Sequence, residues 1–132
     1  MGTPPLRRIL LVDDQREIRS IAGLALGKLG RFELHVCASG QEALEVAPDF
    51  APDLLILDMN MPDLNGVETL ERLRARGVAA PAIFFTASAN DEDRERYRAI
   101  GALGLIPKPF DPLKLAAQLR EIWAQYHEQR SQ

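Results

Sequence analysis

The 132-residue sequence predicts an α/β fold, a doubly wound sheet of five parallel strands with five helices. Two observations carry that prediction. Short apolar runs alternate with amphipathic helical stretches five times over, without internal repeat or low-complexity linker. Four of the five runs are almost continuously apolar, the pattern of strands covered on both faces in a parallel sheet.

The predicted strands are residues 8–12 (RILLV), 32–37 (FELHVC), 54–57 (LLIL), 82–85 (AIFF) and 103–106 (LGLI). Only the second alternates, with Phe32, Leu34 and Val36 set between Glu33, His35 and Cys37, which suits an edge. Placing that strand at an edge favours the flavodoxin-like order 2-1-3-4-5. In residues 15–29, Ile18, Ile21, Ala22, Ala25, Leu26 and Leu29 recur at spacings of three and four and predict one buried helical face, closed by Gly30. Ser39 with Glu42 reads as a capping box for the second helix. Asp111 with Pro112 reads as the N-cap and first turn of the last, whose core stripe is Leu115, Leu119 and Ile122.

Size and charge narrow the function. A chain of this length with 46% hydrophobic residues fits one domain, 1–132, with a core over about 7–125 and short extensions. Sixteen basic and 19 acidic residues give a net charge of −3, too balanced for a nucleic-acid surface. The lone Cys37 forms no internal disulfide, and no signal peptide or long apolar span is present, so a cytoplasmic protein is expected, without membrane or nucleic-acid partners.

The chemistry gathers at the carboxyl ends of the strands, where sheets of this kind carry their sites. The third strand runs straight into a carboxylate, Asp58, and the chain then breaks up through Pro62, Asn65 and Gly66. Strand one ends in Asp13 and Asp14, strand four in Thr86, and strand five leads to Lys108. Three carboxylates this close would repel unless a cation sat among them, and oxygen-only ligands point to Mg²⁺. A carboxylate beside Mg²⁺, facing an ammonium and a hydroxyl, is placed to attack phosphorus and form an aspartyl phosphate. The breakers after Asp58 let the backbone turn a carbonyl, that of Asn60, to the metal.

Asp13-Asp14, DMNMPDLNG from Asp58, TA at Thr86-Ala87 and KPF at Lys108–Phe110 together resemble the receiver domain of two-component response regulators over roughly residues 7–125. Each motif alone is weak; their order is specific. The resemblance implies that Asp58 takes a phosphoryl group from a histidine kinase or histidine phosphotransfer protein. It implies that Asp14, Asp58 and the Asn60 carbonyl bind Mg²⁺ directly and Asp13 through water. Thr86 and Lys108 would hold the phosphoryl oxygens, and the Lys108–Pro109 peptide would be cis. Such a domain phosphorylates and dephosphorylates itself without turning over an external substrate. A downstream protein would read the switch on the face formed by the fourth helix, fifth strand and fifth helix. The chain departs from many members in carrying Leu105, rather than Tyr or Phe, three residues before the lysine. That departure shifts the expected signal to the backbone of residues 86–91 and to Arg94, Glu95 and Arg98.

Simpler readings exist for each residue alone. Paired acids cap helices, threonine suits strands, and a lysine is ordinarily a solvated charge. His35, Cys37 and Trp123 are expected to be structural, and residues 90–98 a solvated, charge-laced helix face. Two rival functions share parts of the pattern. A haloacid-dehalogenase-like Mg²⁺-dependent phosphatase needs a second aspartate where this chain has Asn60, and an FMN binder needs glycines and hydroxyls where it has DDQRE.

Overall fold

The structure is a computed structural model and describes residues 3–87 and 90–130. Residues 88 and 89, inside the segment expected to carry the signal, lie outside the described residues. In chain order the elements are β1 (Arg8–Val12), α1 (Arg16–Gly23) with a π-helical continuation (Leu24–Leu29), β2 (Glu33–Cys37), α2 (Gly40–Phe50) and β3 (Leu54–Asp58). These are followed by α3 (Gly66–Ala75), β4 (Ala82–Thr86), α4 (Asp91–Ala99), β5 (Ala102–Pro107) and α5 (Leu115–Arg130). The strands are all parallel in the order β2-β1-β3-β4-β5, as expected.

The apolar strand runs are continuous because each covers two cores at once. Leu10, Val12, Leu55, Leu57 and Phe84 pack against α2, α3 and α4 on one face. Ile9, Leu11, Leu54, Ile56, Ile83 and Phe85 pack on the other, with Ala22, Leu26, Leu115, Leu119 and Trp123. Burying each such large side chain contributes about 1.5–3 kcal/mol, so the central strands hold both layers together. Trp123 also donates its indole N–H to the Pro4 carbonyl at 2.8 Å, tying the N-terminal segment across α5.

Three local expectations change. The first helix does not keep one face: its second half is π-helical, and Ile21 and Leu29 are exposed while Ala22, Ala25 and Leu26 stay buried. Five-residue hydrogen-bond spacing, as in Gly30 N–H to Ala25 O, rotates the later side chains off the 3.6-residue stripe. Gly30 closes that helix in a right-handed conformation, and the left-handed residue is Arg31, at φ 61°. Ser39 caps Glu42 N–H at 3.1 Å, but the Glu42 carboxylate reaches Ala38 N–H, so the box is half formed. A complete box stands instead at Asn65 and Glu68, at the start of α3. Finally, Asp111 caps a separate turn through Leu113 N–H at 2.9 Å, and α5 begins at Leu115.

Candidate functional site

β1 and β3 lie side by side, so their carboxyl ends bring Asp13 and Asp58 to one rim. Asp13 is held rigidly. Its N–H donates to Cys37 O at 3.1 Å, extending the β1–β2 ladder by one step. Its Oδ1 accepts from Gln15 N–H at 2.8 Å, and its carbonyl accepts from Arg19 at 3.0 Å as the chain enters α1. Asp58, the last residue of β3, is 3% exposed; Asp14 beside it faces solvent.

The loop after β3 folds back tightly. Gly66 N–H donates to Met59 O at 3.2 Å, and a Cβ on Gly66 would stand 2.7 Å from the Asp58 carbonyl oxygen and 3.0 Å from the Phe84 ring. Glycine is required here by close approach. Asn60 is exposed and its N–H donates to Asp58 Oδ1 at 3.3 Å.

Lys108 enters from the end of β5. Its N–H donates to Thr86 O at 2.8 Å, which fixes it beside the end of β4, and the Lys108–Pro109 peptide is cis. Lys108 Nζ lies 3.1 Å from Asp58 Oδ1, 2.9 Å from Asp13 Oδ2 and 3.2 Å from Gln15 Oε1. Gln15 was not anticipated as a site residue. Its position two residues after Asp13, at the entry to α1, is the signal that could have found it. Thr86 is buried as the last residue of β4, one step beyond the Phe85 that pairs with Asp58. The site therefore unites Asp13, Asp14, Asp58 and Lys108, with Thr86 at the adjoining strand end and Asn60 reaching in through its backbone.

The electrostatics are those of a crowded acid cluster. Burial, the charge of Asp13 and a side-chain hydrogen bond with Asp14 together outweigh Lys108 and push the Asp58 carboxyl up to about 6. Burial alone would lower Lys108, but its contacts with Asp13 and Asp58 prevail and hold it above its ordinary value. Oxygens of Asp13, Asp14 and Asp58 all lie within 4.8 Å of one another. Asp13 Oδ2 is buried and meets Lys108 only as an ion pair, without hydrogen-bond geometry. A hard cation would satisfy that oxygen and relieve the repulsion, so the donor set fits a divalent metal. Cys37 takes no part; burial, then the Glu42 charge, pushes its thiol up to about 12.

The fold agrees with that of similar proteins. Residues 9–120 match the family model of the response regulator receiver domain. The chain is 38% identical over 122 residues to the transcriptional regulatory protein CpxR of Escherichia coli (strain K12), covering 92% of this chain and 51% of that protein. It is 37% identical to the transcriptional regulatory protein TrcR of Mycobacterium tuberculosis, covering 86% of this chain and 44% of that protein. It thus spans about half the length of these curated relatives. The chemotaxis response regulator CheY4 of Vibrio cholerae superposes with a TM-score of 0.80 at 31% identity, covering 89% of this chain and 99% of that one. This chain belongs to the receiver domain family of response regulators, which are signalling domains of two-component systems.

Proposed function

We propose that Asp58 is the phosphoacceptor and that its phosphorylation, with Mg²⁺, switches the domain between two states read by a partner protein. The observation that carries this reading is the Asp58 carboxylate at the end of the central strand, buried between two further acids and one lysine. Its Oδ1 is held by Lys108 and by Asn60 N–H, which leaves the other oxygen to attack. That oxygen forms a bond to phosphorus as the phosphorus–nitrogen bond of a phosphohistidine, on a histidine kinase or phosphotransfer protein, breaks. The departing imidazole nitrogen keeps the bonding pair. Lys108 stabilises charge on the phosphoryl oxygens, and Thr86 donates a hydrogen bond to one of them. Asp14, Asp58 and the Asn60 carbonyl would hold Mg²⁺, with Asp13 beside them, and the bound metal would supply positive charge for the transfer.

The reading extends to the surroundings. Residues 7–125 form the receiver core, working in the cytoplasm, and self-dephosphorylation ends the signal. The downstream partner docks on α4, β5 and α5. A recess of about 300 Å³ lined by Arg98, Leu103, Ile122, Gln125 and Tyr126 on that face supports this. Among the described residues no helix is long and apolar enough to cross a membrane. Incubation with acetyl phosphate and Mg²⁺ tests the reading: the chain gains one phosphoryl mass, stable in acid and lost in alkali. Failure to gain it, or equal gain by Asp58→Asn, overturns the assignment.

A further inference from the structure

A second charged recess lies at the opposite end of the sheet from Asp58. It opens between the start of β1, the connection from the π-helical segment into β2, and α5, and it holds about 540 Å³. Four arginines line it, Arg7, Arg8, Arg31 and Arg120, against one acid, Glu33. Arg8 is taken up by Glu33 at 2.5 Å and by the Phe50 carbonyl at 2.8 Å. The other three make no ion pair among the described residues. Arg120 is fixed, donating to Gly30 O and lying 4.4 Å from the centre of the Phe32 ring. Three uncompensated guanidinium groups in one recess are unexpected on a chain of net charge −3.

Arg31 adds a second, independent oddity. It adopts φ 61°, the left-handed region that costs a side-chain-bearing residue about 1–2 kcal/mol and that glycine occupies freely. Strain of this kind is commonly kept where a side chain is aimed at a ligand. Here it sets an exposed arginine into the lining of a recess that already holds two other arginines without an ion pair, Arg7 and Arg120. The walls beside them are apolar, formed by Leu6 and the exposed Leu29. Guanidinium forks pair with phosphate oxygens and also stack on flat rings, and the volume is that of a small-molecule pocket.

We propose that this recess binds a small organic phosphate. The phosphoryl group meets Arg7 and Arg31, with Arg120 closing the site, and the apolar body lies on Leu6 and Leu29. Binding here needs neither Asp58 nor a divalent metal, so it is separable from the phosphoacceptor chemistry.

The test is amide chemical-shift titration of the full chain, in chelator and at constant ionic strength, with adenosine monophosphate and with inorganic phosphate. Saturable shifts confined to residues 6–8, 29–33 and the turn of α5 around Arg120 are expected, with the nucleotide binding about tenfold or more tighter than inorganic phosphate. Arg31→Gly keeps the fold, because glycine suits that φ, and weakens the nucleotide by about tenfold or more, the loss expected for a charge-assisted contact. Arg7→Gln weakens it similarly, whereas Asp58→Asn leaves it unchanged. No saturable shift, equal affinity for the two anions, or unaltered binding in both arginine variants overturns the proposal.

Discussion

In the metal-free protein Asp58 should cost stability, and removing its charge should return it. The folded-state carboxyl sits at about 6 against an ordinary 3.8, because burial and Asp13 oppose ionisation more than Lys108 favours it. Below about pH 4 the group is protonated whether the chain is folded or not, and it carries no penalty. Between about pH 4 and pH 6 the folded chain holds a proton that the unfolded chain has released, so stability falls as pH rises. Above about pH 6 the penalty is complete, and a rise of this size corresponds to about 3 kcal/mol. Asp58→Asn keeps an acceptor for Lys108, which retains Asp13 at 2.9 Å. In chelator the variant should therefore exceed the wild type by up to about 3 kcal/mol at about pH 8, or about 10 °C in Tm, and match it near pH 4. Urea unfolding of both proteins across this range reads the Asp58 charge together with its coupling to Asp13, Asp14 and Lys108, since titrating groups away from the site cancel in the difference. A difference that is flat with pH, or that favours the wild type at high pH, would refute the electrostatic account.

Further predictions concern the metal, the loop and the switch. Mg²⁺ should raise the wild-type Tm, by about 1.4 kcal/mol of stability at ten times its Kd, and Asp14→Ala should lose most of that gain in the same melts. Gly66→Ala forces a methyl against the Asp58 carbonyl and Phe84; denaturant unfolding should show a loss of about 1–3 kcal/mol, with phosphorylation slowed as the loop shifts. On adding beryllofluoride, which stands in for the phosphoryl group on Asp58, the largest remote amide shifts should fall in residues 87–98 and survive Leu105→Ala. Loss of those shifts in a folded, phosphorylatable variant would make Leu105 the switch residue instead.

The sheet was legible because five apolar runs end in turn-forming residues, and covering both faces leaves no other use for Leu54–Leu57 or Ala82–Phe85. The acid cluster was legible for a related reason, since a carboxylate at the end of a fully apolar run has few structural explanations. Helix detail was not. The spacing of Ile18 to Leu29 fits an α-helical stripe, and nothing in those residue types marks where hydrogen bonding slips to i→i+5 and turns Leu29 to solvent. Asn65 and Glu68 carry a cap signal of their own, masked in sequence because Asn65 also belongs to the run of breakers from Pro62 to Gly66. Gln15 escaped because a glutamine has no chemistry of its own; its place in the site comes from Lys108 reaching across 93 residues. The strained Arg31 is equally silent in sequence, since glycine one residue earlier reads as the natural helix end.

The central claim is that one carboxylate, Asp58, carries the phosphoryl group. After treatment with acetyl phosphate and Mg²⁺, borohydride reduces an aspartyl phosphate to homoserine, and mass spectrometry of the peptide spanning residues 54–72 locates the change. The account predicts homoserine at position 58 and nowhere else. Homoserine at position 13 or 14, or a phosphorylated chain in which position 58 remains aspartate, would contradict it.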